Sequence, residues 1–351
     1  MDLVGLLRSR LPACDGCAGV ALSGGPDSSA LLDLLIEVLG GAQNIVALHV
    51  DHGVREASSR TAERAFVADF CARLGVHLEN ATLAAWNGGQ EREIPPSQWG
   101  GNHPKRVASH LKWVASESDL REARYRELAV LARRQQCSYV ILGHHQDDQV
   151  ETVLMQLLRG ADLRGLTGMR ERFELDGVLF LRPLLDVARA DLQARLEARA
   201  LPSFEDPTNL ETSYRRNRLR RRLLPWLDAH EPGWRGRVSG LAASLREVET
   251  WKRHELEIRL QGQNWDELPD GAWAFPRPPL VDLPAPLLKD WCRSALELRA
   301  GRGGAITRRH VTGLAEFAAS HRTGYHPQCF PGGIQVRGRV KLLIFKRMEL
   351  S

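Results

Sequence analysis

A loop rich in serine and glycine carries the clearest chemical signal in this sequence of 351 residues. Residues 23–28 read Ser-Gly-Gly-Pro-Asp-Ser and follow Gly19 to Leu22, an apolar run that predicts a buried strand. From Asp27 to Leu39, apolar residues recur at helical spacing. Glycines at such a turn let backbone N–H groups approach an anion, and the helix start adds a positive dipole. Because the loop lacks the lysine of a Walker sequence, it predicts a site for departing pyrophosphate rather than for γ-phosphate transfer.

The side chains of this loop are suited to holding a nucleotide. The hydroxyl groups of Ser23 and Ser28 can donate to phosphate oxygens, and the Asp27 carboxylate suits a magnesium ion or a polar substrate group. The alternative is a glycine turn with a serine that caps the helix. The backbone near Val50, at the end of the next predicted strand, is expected to flank adenine. The candidate ATP-binding residues are therefore Ser23, Gly24, Gly25, Pro26, Asp27, Ser28 and Val50.

Three carboxylates and two histidines follow a third apolar run, Tyr139 to Leu142. Asp148 and Glu151 are three residues apart, so one face of a helix would carry both. Such a group suits a divalent metal ion, or an ammonium group recognised beside a Mg²⁺ ion. The alternative is acidic residues that stabilise a helix N-terminus, with structural histidines beside them. The residues concerned are His144, His145, Asp147, Asp148 and Glu151.

Arginines suited to phosphate binding occur in two places. Tyr214 to Arg222 reads YRRNRLRRR, with six arginines in nine positions, which favours contacts with nucleic-acid phosphates. The alternative is a solvated helix face. Arg121 and Arg124, further upstream, could clamp phosphate oxygens or a substrate base. The predicted RNA-binding residues are Arg124, Arg215, Arg216, Asn217, Arg218 and Arg220.

The elements that position these residues alternate between short apolar runs and amphipathic stretches over the first two hundred residues. This pattern predicts an α/β fold, a parallel twisted sheet with helices on both faces. Strands are predicted at 19–22, 45–50 and 139–142, each followed by a polar turn and a helix. Ligands bind at the carboxyl ends of such strands. The candidate residues described above fall there.

Two domains are predicted, at 1–212 and 213–351. Turn-forming residues at about 85–115 indicate a loop inserted in the first domain, and Asp206 to Asn209 marks the boundary. After it, Leu219, Leu223 and Leu227 predict a helix with one apolar seam. The smaller second domain is expected to be mostly helical until about Ser320 and to end in a hairpin after a Pro-Gly-Gly turn.

Composition bounds the class of protein. The apolar fraction of 43% and charged fraction of 26% are those of a globular chain with a core. No apolar run approaches the roughly 20 residues of a membrane span, so a cytoplasmic location without membrane contact is expected. The net charge is +5 with a pI near 9.0, which is weak support for an anionic partner. The oligomeric state stays open, with a homodimer among the options.

The 23–28 loop resembles the pyrophosphate loop of the N-type ATP pyrophosphatases, also called the PP-loop superfamily with an adenine nucleotide alpha hydrolase-like fold. Further segments resemble the successive motifs of the tRNA(Ile)-lysidine synthetases, over roughly residues 15 to 225. Those segments are 49–55 (HVDHGVR), 117–125, 143–152 (GHHQDDQVET), Leu158-Arg159-Gly160 with 165–169, Arg182-Pro183-Leu184 and 206–220. The insert is longer than is usual in that family, and the chain resembles its shorter members.

This resemblance implies the reaction and its participants. ATP, with Mg²⁺, would adenylate the wobble cytidine of an isoleucine tRNA with a CAU anticodon, and the amine of free L-lysine would then displace AMP at C2, giving lysidine. Asp27, Arg121 and Asp148 are the expected catalytic residues. Asp148 and Glu151 are the expected lysine ligands, with Asp27 and Asp147 as candidate metal ligands.

Other activities of related enzymes stay open at this point. Cys14-x-x-Cys17 precedes the loop, and some related tRNA thiolases use cysteine pairs for sulfur transfer or an iron–sulfur cluster. Because a closed metal site needs three or four ligands and no second Cys-x-x-Cys exists, packing or surface cysteines are expected. A small-molecule amidating synthetase and an inactive RNA-binding paralogue are the remaining alternatives.

Overall fold

The computed structural model describes residues 1–14, 16–51, 57–83, 117–204, 215–300, 306–320, 322–326 and 328–348. These residues form two compact units that divide between Arg246 and Glu247. The insert predicted at 85–115 and the boundary predicted at 212/213 both lie outside the described residues, so the proposed domain limits stay a prediction.

A mostly parallel sheet of six strands forms the centre of the first unit. The strand order is β3-β2-β1-β4-β6-β5, and only β5 pairs antiparallel, with β6. The predicted fold class is confirmed, and the three strands expected from the sequence correspond to β1, β2 and β4. The strands are β1 Cys17–Ala21, β2 Ile45–Asp51, β3 His77–Thr82, β4 Cys137–Ile141, β5 Arg172–Leu175 and β6 Val178–Leu181.

Helices cover both faces of this sheet because its central strands are apolar on both sides. Every residue of β2 is buried, as a strand covered on both faces requires. Helices α1, α2, α3 and α7 contribute to the core on one face, and α4 to the core on the other. The helices are α1 Leu3–Arg10, α2 Pro26–Val38, α3 Ala57–Leu74, α4 Glu117–Arg134, α5 Gln146–Leu157, α6 Leu163–Leu166 and α7 Arg189–Ala198.

The arginine-rich segment is helical, but its apolar seam differs from the predicted one. It comprises α8 (Arg215–Arg218), a π-helical turn (Leu219–Leu223) and α9 (Leu224–His230), and α10 (Trp234–Arg259) follows. Pro225 has no N–H to donate and its ring crowds the preceding turn, which explains the wider π geometry. Leu224 consequently donates to the Leu219 carbonyl, and these two leucines, five residues apart, are fully buried. The predicted Leu223 and Leu227 are only partly buried.

The second unit combines helices with an antiparallel sheet of order β7-β8-β11-β10-β9. The predicted terminal hairpin is confirmed as β10 paired with β11. The helical expectation up to Ser320 missed β7 and β8, which are too short to show a period. The elements are β7 Asp266–Glu267, β8 Trp273–Pro276, α11 Pro278–Val281, α12 Ala285–Ala300, α13 Arg308–Ala319, β9 Gly324–Tyr325, β10 Ile334–Gly338 and β11 Leu342–Arg347. Across the described ranges, no helix is both long enough and apolar enough to cross a membrane.

Arg277, just after β8, joins α13 to the sheet of the second unit. Its side chain is buried, and the guanidinium donates to the carbonyl oxygens of Phe317 (2.7 Å), Ala318 (3.1 Å) and Ser320 at the end of α13. It also donates to the carbonyl oxygens of Arg322 (2.7 Å) and of Arg339 (3.2 Å), which lies between β10 and β11. The last carbonyls of a helix have no partner within it. One guanidinium therefore satisfies acceptors that would otherwise be buried without hydrogen bonds.

We expect Arg277→Lys to destabilise the second unit by about 2–4 kcal/mol, because an ammonium group has fewer donors in a different geometry and leaves buried carbonyls unpaired. Arg337→Lys is the matched control, since Arg337 is an exposed arginine of β10, and it should change stability by about 0.5 kcal/mol or less. Amide hydrogen exchange of α13, β10 and β11 is the measurement. Equal exchange rates in both variants would show that the Arg277 contacts contribute little.

Candidate nucleotide-binding and transfer site

A cavity of about 1100 Å³ opens at the carboxyl ends of β1, β2 and β4. Strand ends meet there because the three strands are parallel neighbours. The candidate loop forms one wall, the end of β2 a second, and the start of α5 a third. Among its lining residues are Ser23, Gly25, Pro26, Asp27, Ser28, Val50, Arg124, His144, His145, Asp148, Arg189 and Arg220.

The loop conformation requires glycine at position 24. Gly24 has φ +75°, and a Cβ there would lie 3.2 Å from the Phe66 ring and 3.3 Å from a Val67 methyl carbon. Its carbonyl accepts a hydrogen bond from the Phe204 amide (2.8 Å). Gly143, at the end of β4, is similarly constrained, because a Cβ would lie 3.3 Å from the Asp27 carbonyl oxygen. The loop therefore sits with its backbone directly against the neighbouring strand end.

The two serines of the loop hold its ends together. The Ser28 hydroxyl accepts from the Ser23 amide at 3.2 Å, lies 3.1 Å from the Ser23 hydroxyl and donates to the Gly25 carbonyl at 3.0 Å. Pro26 occupies the first position of α2, where a missing N–H costs nothing. The other amides of this first turn have no partner within the helix, so they are available to an anion in the cavity.

Asp27 faces the cavity with one carboxylate oxygen lacking a hydrogen bond. Its Oδ1 is buried and accepts none from the described residues, although Arg189 Nε lies 3.7 Å away. Its Oδ2 lies 3.3 Å from His145 Nε2. A carboxylate oxygen of this kind fits a hard divalent cation. Among the described residues, no three His, Cys, Asp or Glu side chains are arranged around one metal position.

His145 links the loop to α5. Its ring is buried, and Nδ1 accepts a hydrogen bond from the Asp147 amide (3.2 Å), so the side chain caps α5. The neutral ring therefore carries its proton on Nε2, facing Asp27 and, at 3.5 Å, Asp148. Burial works against the charged form, but these carboxylates outweigh it and raise the pKa of His145 above its usual value.

The buried Glu151 and the half-buried Asp148 form a network with two arginines. Arg216 donates to Asp148 at 2.8 Å and to Glu151 at 2.6 Å. Arg220 donates to Asp148 at 3.0 Å and also to Glu151. Burial disfavours ionisation of Asp148, but His145 and the arginines lower its pKa to about 2. Asp148 and Arg220 line the cavity, while Glu151, only 1% exposed, lies behind them.

Asp147 points to a different partner. Its carboxylate pairs with Arg235 of α10, which also pairs with Asp228. The Trp234 indole N–H donates to the same Asp228 at 2.9 Å. Asp147 thus joins an ion-pair chain that links α5 with α9 and α10, apart from the paired carboxylates of Asp148 and Glu151.

Three arginines surround the phenol of Tyr125 on the α4 side of the site. Arg121 and Arg182 each donate to its oxygen at 3.2 Å, and Arg124 lies over its ring at 5.6 Å. Burial opposes ionisation of the phenol, yet the three guanidinium groups lower the pKa of Tyr125 to about 8. Arg121 also lies 3.4 Å from His144, whose burial and cationic neighbours lower its pKa well below the usual value.

The remaining candidates are placed as follows. Val50 lines the cavity, and Arg218 is exposed. The side chain of Arg215 and the whole of His52 lie outside the described residues. Sequence reasoning missed Arg189, which approaches Asp27, and Arg235, which pairs with Asp147. Both are distant in sequence from their partners, and no motif marks them.

Two of the six cysteines lie at the other end of the strands. Cys17 and Cys137 begin β1 and β4, with sulfurs 3.6 Å apart. The loop and α5 follow the carboxyl ends of the same two strands. Burial and the neighbouring thiols raise the pKa of Cys137 to about 12, so this thiol is a poor nucleophile at neutral pH.

The parallel sheet, with its glycine loop at the end of β1, defines an α/β nucleotide-binding domain. A family model described as a PP-loop domain matches residues 10–227, and the chain belongs to this family. Similar curated proteins bear the name tRNA(Ile)-lysidine synthase. The one from Bordetella parapertussis is 38% identical over 69% of this chain, and the one from Bacillus licheniformis 33% identical over 68%. The matches span 64% and 46% of those two proteins.

A solved structure supports the same fold. The U34-tRNA thiolase NcsA from Methanococcus maripaludis, with its [4Fe-4S] cluster, aligns with a TM-score of 0.53 at 19% identity. The alignment covers 69% of this chain and 77% of NcsA. At this level of identity the likeness concerns the fold.

We expect Gly24→Ala to destabilise the first unit by about 1–3 kcal/mol, because an alanine at φ +75° is strained and its methyl group would press on Phe66 and Val67. Gly25→Ala is the control, since Gly25 has φ −66° and a Cβ there meets only the Ser23 hydroxyl at 3.6 Å. Thermal unfolding of both variants is the measurement. Equal melting temperatures would contradict the assigned loop conformation.

We expect one tyrosine to ionise near pH 8 rather than near 10. Because the folded-state pKa of Tyr125 is lowered, its contribution to stability is complete above about pH 10 and is lost as the pH falls through about 8. Difference absorption of tyrosinate follows the titration. The ionisation step near pH 8 should disappear in Tyr125→Phe. It should persist in Tyr325→Phe, which removes an exposed phenol. A step that survives Tyr125→Phe would contradict the arginine cluster.

Proposed function

We propose that this chain is a tRNA(Ile)-lysidine synthase, which joins L-lysine to C2 of the wobble cytidine of the CAU-anticodon isoleucine tRNA. ATP is consumed and AMP and pyrophosphate are released, through an adenylated cytidine. The observation that carries the proposal is one cavity bordered by both the glycine loop at the start of α2 and a carboxylate–arginine network. The name shared by the curated relatives supports the same activity.

The loop serves the first half of the reaction. The cytosine O2 attacks the α-phosphorus of ATP, the bond from that phosphorus to the bridging oxygen breaks, and pyrophosphate leaves. Charge develops on the leaving group where the free amides at the start of α2 point, which lowers the barrier electrostatically. The Ser23 and Ser28 hydroxyls bind phosphate oxygens, and Val50 and its neighbours flank the adenine.

Asp27 is the residue we assign to Mg²⁺. Its buried Oδ1, without a hydrogen bond among the described residues, is the feature that fits a cation. When bound with ATP, Mg²⁺ neutralises phosphate charge. Asp147 is a weaker candidate, because Arg235 already pairs with its carboxylate.

The carboxylate–arginine network serves recognition of lysine. The low pKa of Asp148 keeps it ionised at neutral pH. A bound lysine molecule displaces a guanidinium such as that of Arg220. Its ammonium group then pairs with Asp148 or Glu151, and its carboxylate pairs with the displaced guanidinium. Each buried charge then keeps an opposite partner, and the cost of an unpaired buried charge is avoided.

The arginines on α4 serve the base and its phosphate. Arg124 lines the cavity, and Arg121 lies behind it beside His144. Guanidinium groups there stabilise the phosphate of the adenylated base. The wobble base must leave its stack to reach this wall. Exposed arginines on the 215–222 segment, such as Arg218, contact the RNA backbone.

A thiolase is the competing function, since the fold is shared with NcsA. A sulfur-transfer cysteine must reach the activated base. Cys17 and Cys137 begin the strands whose opposite ends border the cavity, about 13 Å or more away at the usual rise per residue. The positions of these two cysteines therefore favour the ligation of an amine over sulfur transfer.

Mass analysis of the wobble cytidine tests the proposal. The purified chain is incubated with ATP, lysine and the CAU-anticodon isoleucine tRNA, with parallel reactions that lack lysine, ATP or tRNA and one in which sulfide replaces lysine. We expect lysidine in the complete reaction alone, and none with Asp27→Ala. A thiolated base, or product formation without RNA, would replace the proposal by the thiolase or the small-molecule synthetase.

We expect Glu151→Gln to raise the KM for lysine by about 10- to 100-fold. Arg216 and Arg220 would then compete with the lysine ammonium group for Asp148, the one carboxylate that remains. The KM for ATP and tRNA-dependent pyrophosphate release should barely change. Glu122→Gln is the control, since Glu122 pairs with Arg126 on α4. Circular dichroism checks the fold of both variants. Loss of pyrophosphate release at an unchanged lysine KM would assign Glu151 to adenylation instead.

A further inference from the structure

An aromatic pair is exposed on α9 beside the arginine-rich turn. The Trp226 indole stacks on the His230 ring, with centroids 4.6 Å apart and planes 14° from parallel. His230 Nδ1 donates to the Trp226 carbonyl at 2.8 Å, which fixes the imidazole in that position. The Trp226 residue nevertheless remains 53% exposed. We call this pair of stacked rings, Trp226 and His230, the Trp226 platform.

The surroundings of the Trp226 platform are cationic. Arg222 precedes Trp226 by one helical turn, and Arg221 precedes Arg222 in the sequence. Both arginines are exposed. A large apolar ring held rigid at the surface, next to guanidinium groups, complements a partner that is flat on one side and anionic on the other. An unpaired nucleotide has this combination, since its base stacks on aromatic rings and its phosphate pairs with arginine.

The Trp226 platform follows closely in the chain after a residue of the cavity wall. Arg220, on the same helical segment, is bound to Asp148 at the cavity wall. Six residues separate Arg220 from Trp226, which is about 9 Å along a helix. Stacked bases are spaced by roughly 3.4 Å, so this distance corresponds to two or three nucleotides.

We propose that Trp226 stacks on an unpaired base of the RNA substrate, two or three nucleotides from the base that enters the cavity. The inference rests on the proposed function for the identity of the RNA. Stacking there holds the neighbouring strand while the reacting base leaves its own stack. Arg221 and Arg222 contact the phosphates of the held nucleotides.

The salt dependence of tRNA binding separates stacking from charge. Filter binding of the full chain to the CAU-anticodon isoleucine tRNA is measured over a series of salt concentrations. Trp226→Ala should weaken binding by about 5- to 150-fold at every salt concentration, with an unchanged slope, because stacking releases no counterions. Trp226→Phe should retain most of the affinity. Arg221→Gln with Arg222→Gln should instead reduce the slope, by roughly 0.7–0.9 for each phosphate that is no longer neutralised.

Trp251→Ala is the matched control, because Trp251 is a similarly exposed tryptophan (60%) on α10, outside the arginine-rich segment. It should bind tRNA as the unchanged chain does. Equal affinities of Trp226→Ala and the unchanged chain would overturn the inference. So would a change of oligomeric state in Trp226→Ala by sedimentation, which would assign the platform to a protein contact.

Lysidine formation, assayed separately, distinguishes the two proposals. If tRNA binding depends on Trp226 while no lysidine forms, the stacking surface stands and the proposed reaction fails. If lysidine forms and Trp226→Ala binds tRNA normally, the reaction stands and the stacking surface fails.

Discussion

The burial of two carboxylates on one turn of α5 is the constraint on which the site depends. Glu151 is almost fully enclosed and Asp148 nearly so, and an unpaired charge in such a place would cost several kcal/mol. Arg216 and Arg220, more than 60 residues later in the chain, supply the opposite charges. Their pairing holds the arginine-rich helix against α5, and the buried leucines at 219 and 224 pack beneath it with Val150. Electrostatic pairing and apolar packing therefore fix the same wall of the cavity.

The same network extends to the nucleotide loop through one histidine. His145 caps α5 with one ring nitrogen and faces Asp27 with the other, so it connects the start of α5 to the start of α2. Gly143 allows the two backbones to approach closely. The loop to which we assign the leaving pyrophosphate and the wall to which we assign the amine are therefore joined through the contacts of His145. This arrangement suits a reaction in which a base is first activated and then substituted without leaving the cavity.

Local patterns were sufficient to predict the fold class, three of the six strands of the first sheet, the loop and the acidic cluster, because each depends on neighbours in sequence. The partners of Asp148 and Glu151 were not predictable in this way. The arginines that bind them belong to a run that, read alone, indicates a solvated or phosphate-binding face. Pro225 also shifts the apolar seam by one residue, so that Leu224 rather than Leu223 is buried. Such features arise from tertiary pairing and from a π turn, which no short-range periodicity encodes.

Exchange of labelled pyrophosphate into ATP tests most directly the proposed order of the two half-reactions. If an RNA base is activated first, as we propose, exchange should require the CAU-anticodon isoleucine tRNA and should proceed without lysine. Exchange supported by lysine in the absence of RNA would mean that the amino acid's own carboxylate is adenylated. That result would contradict the assignment of the carboxylate–arginine network to an incoming amine.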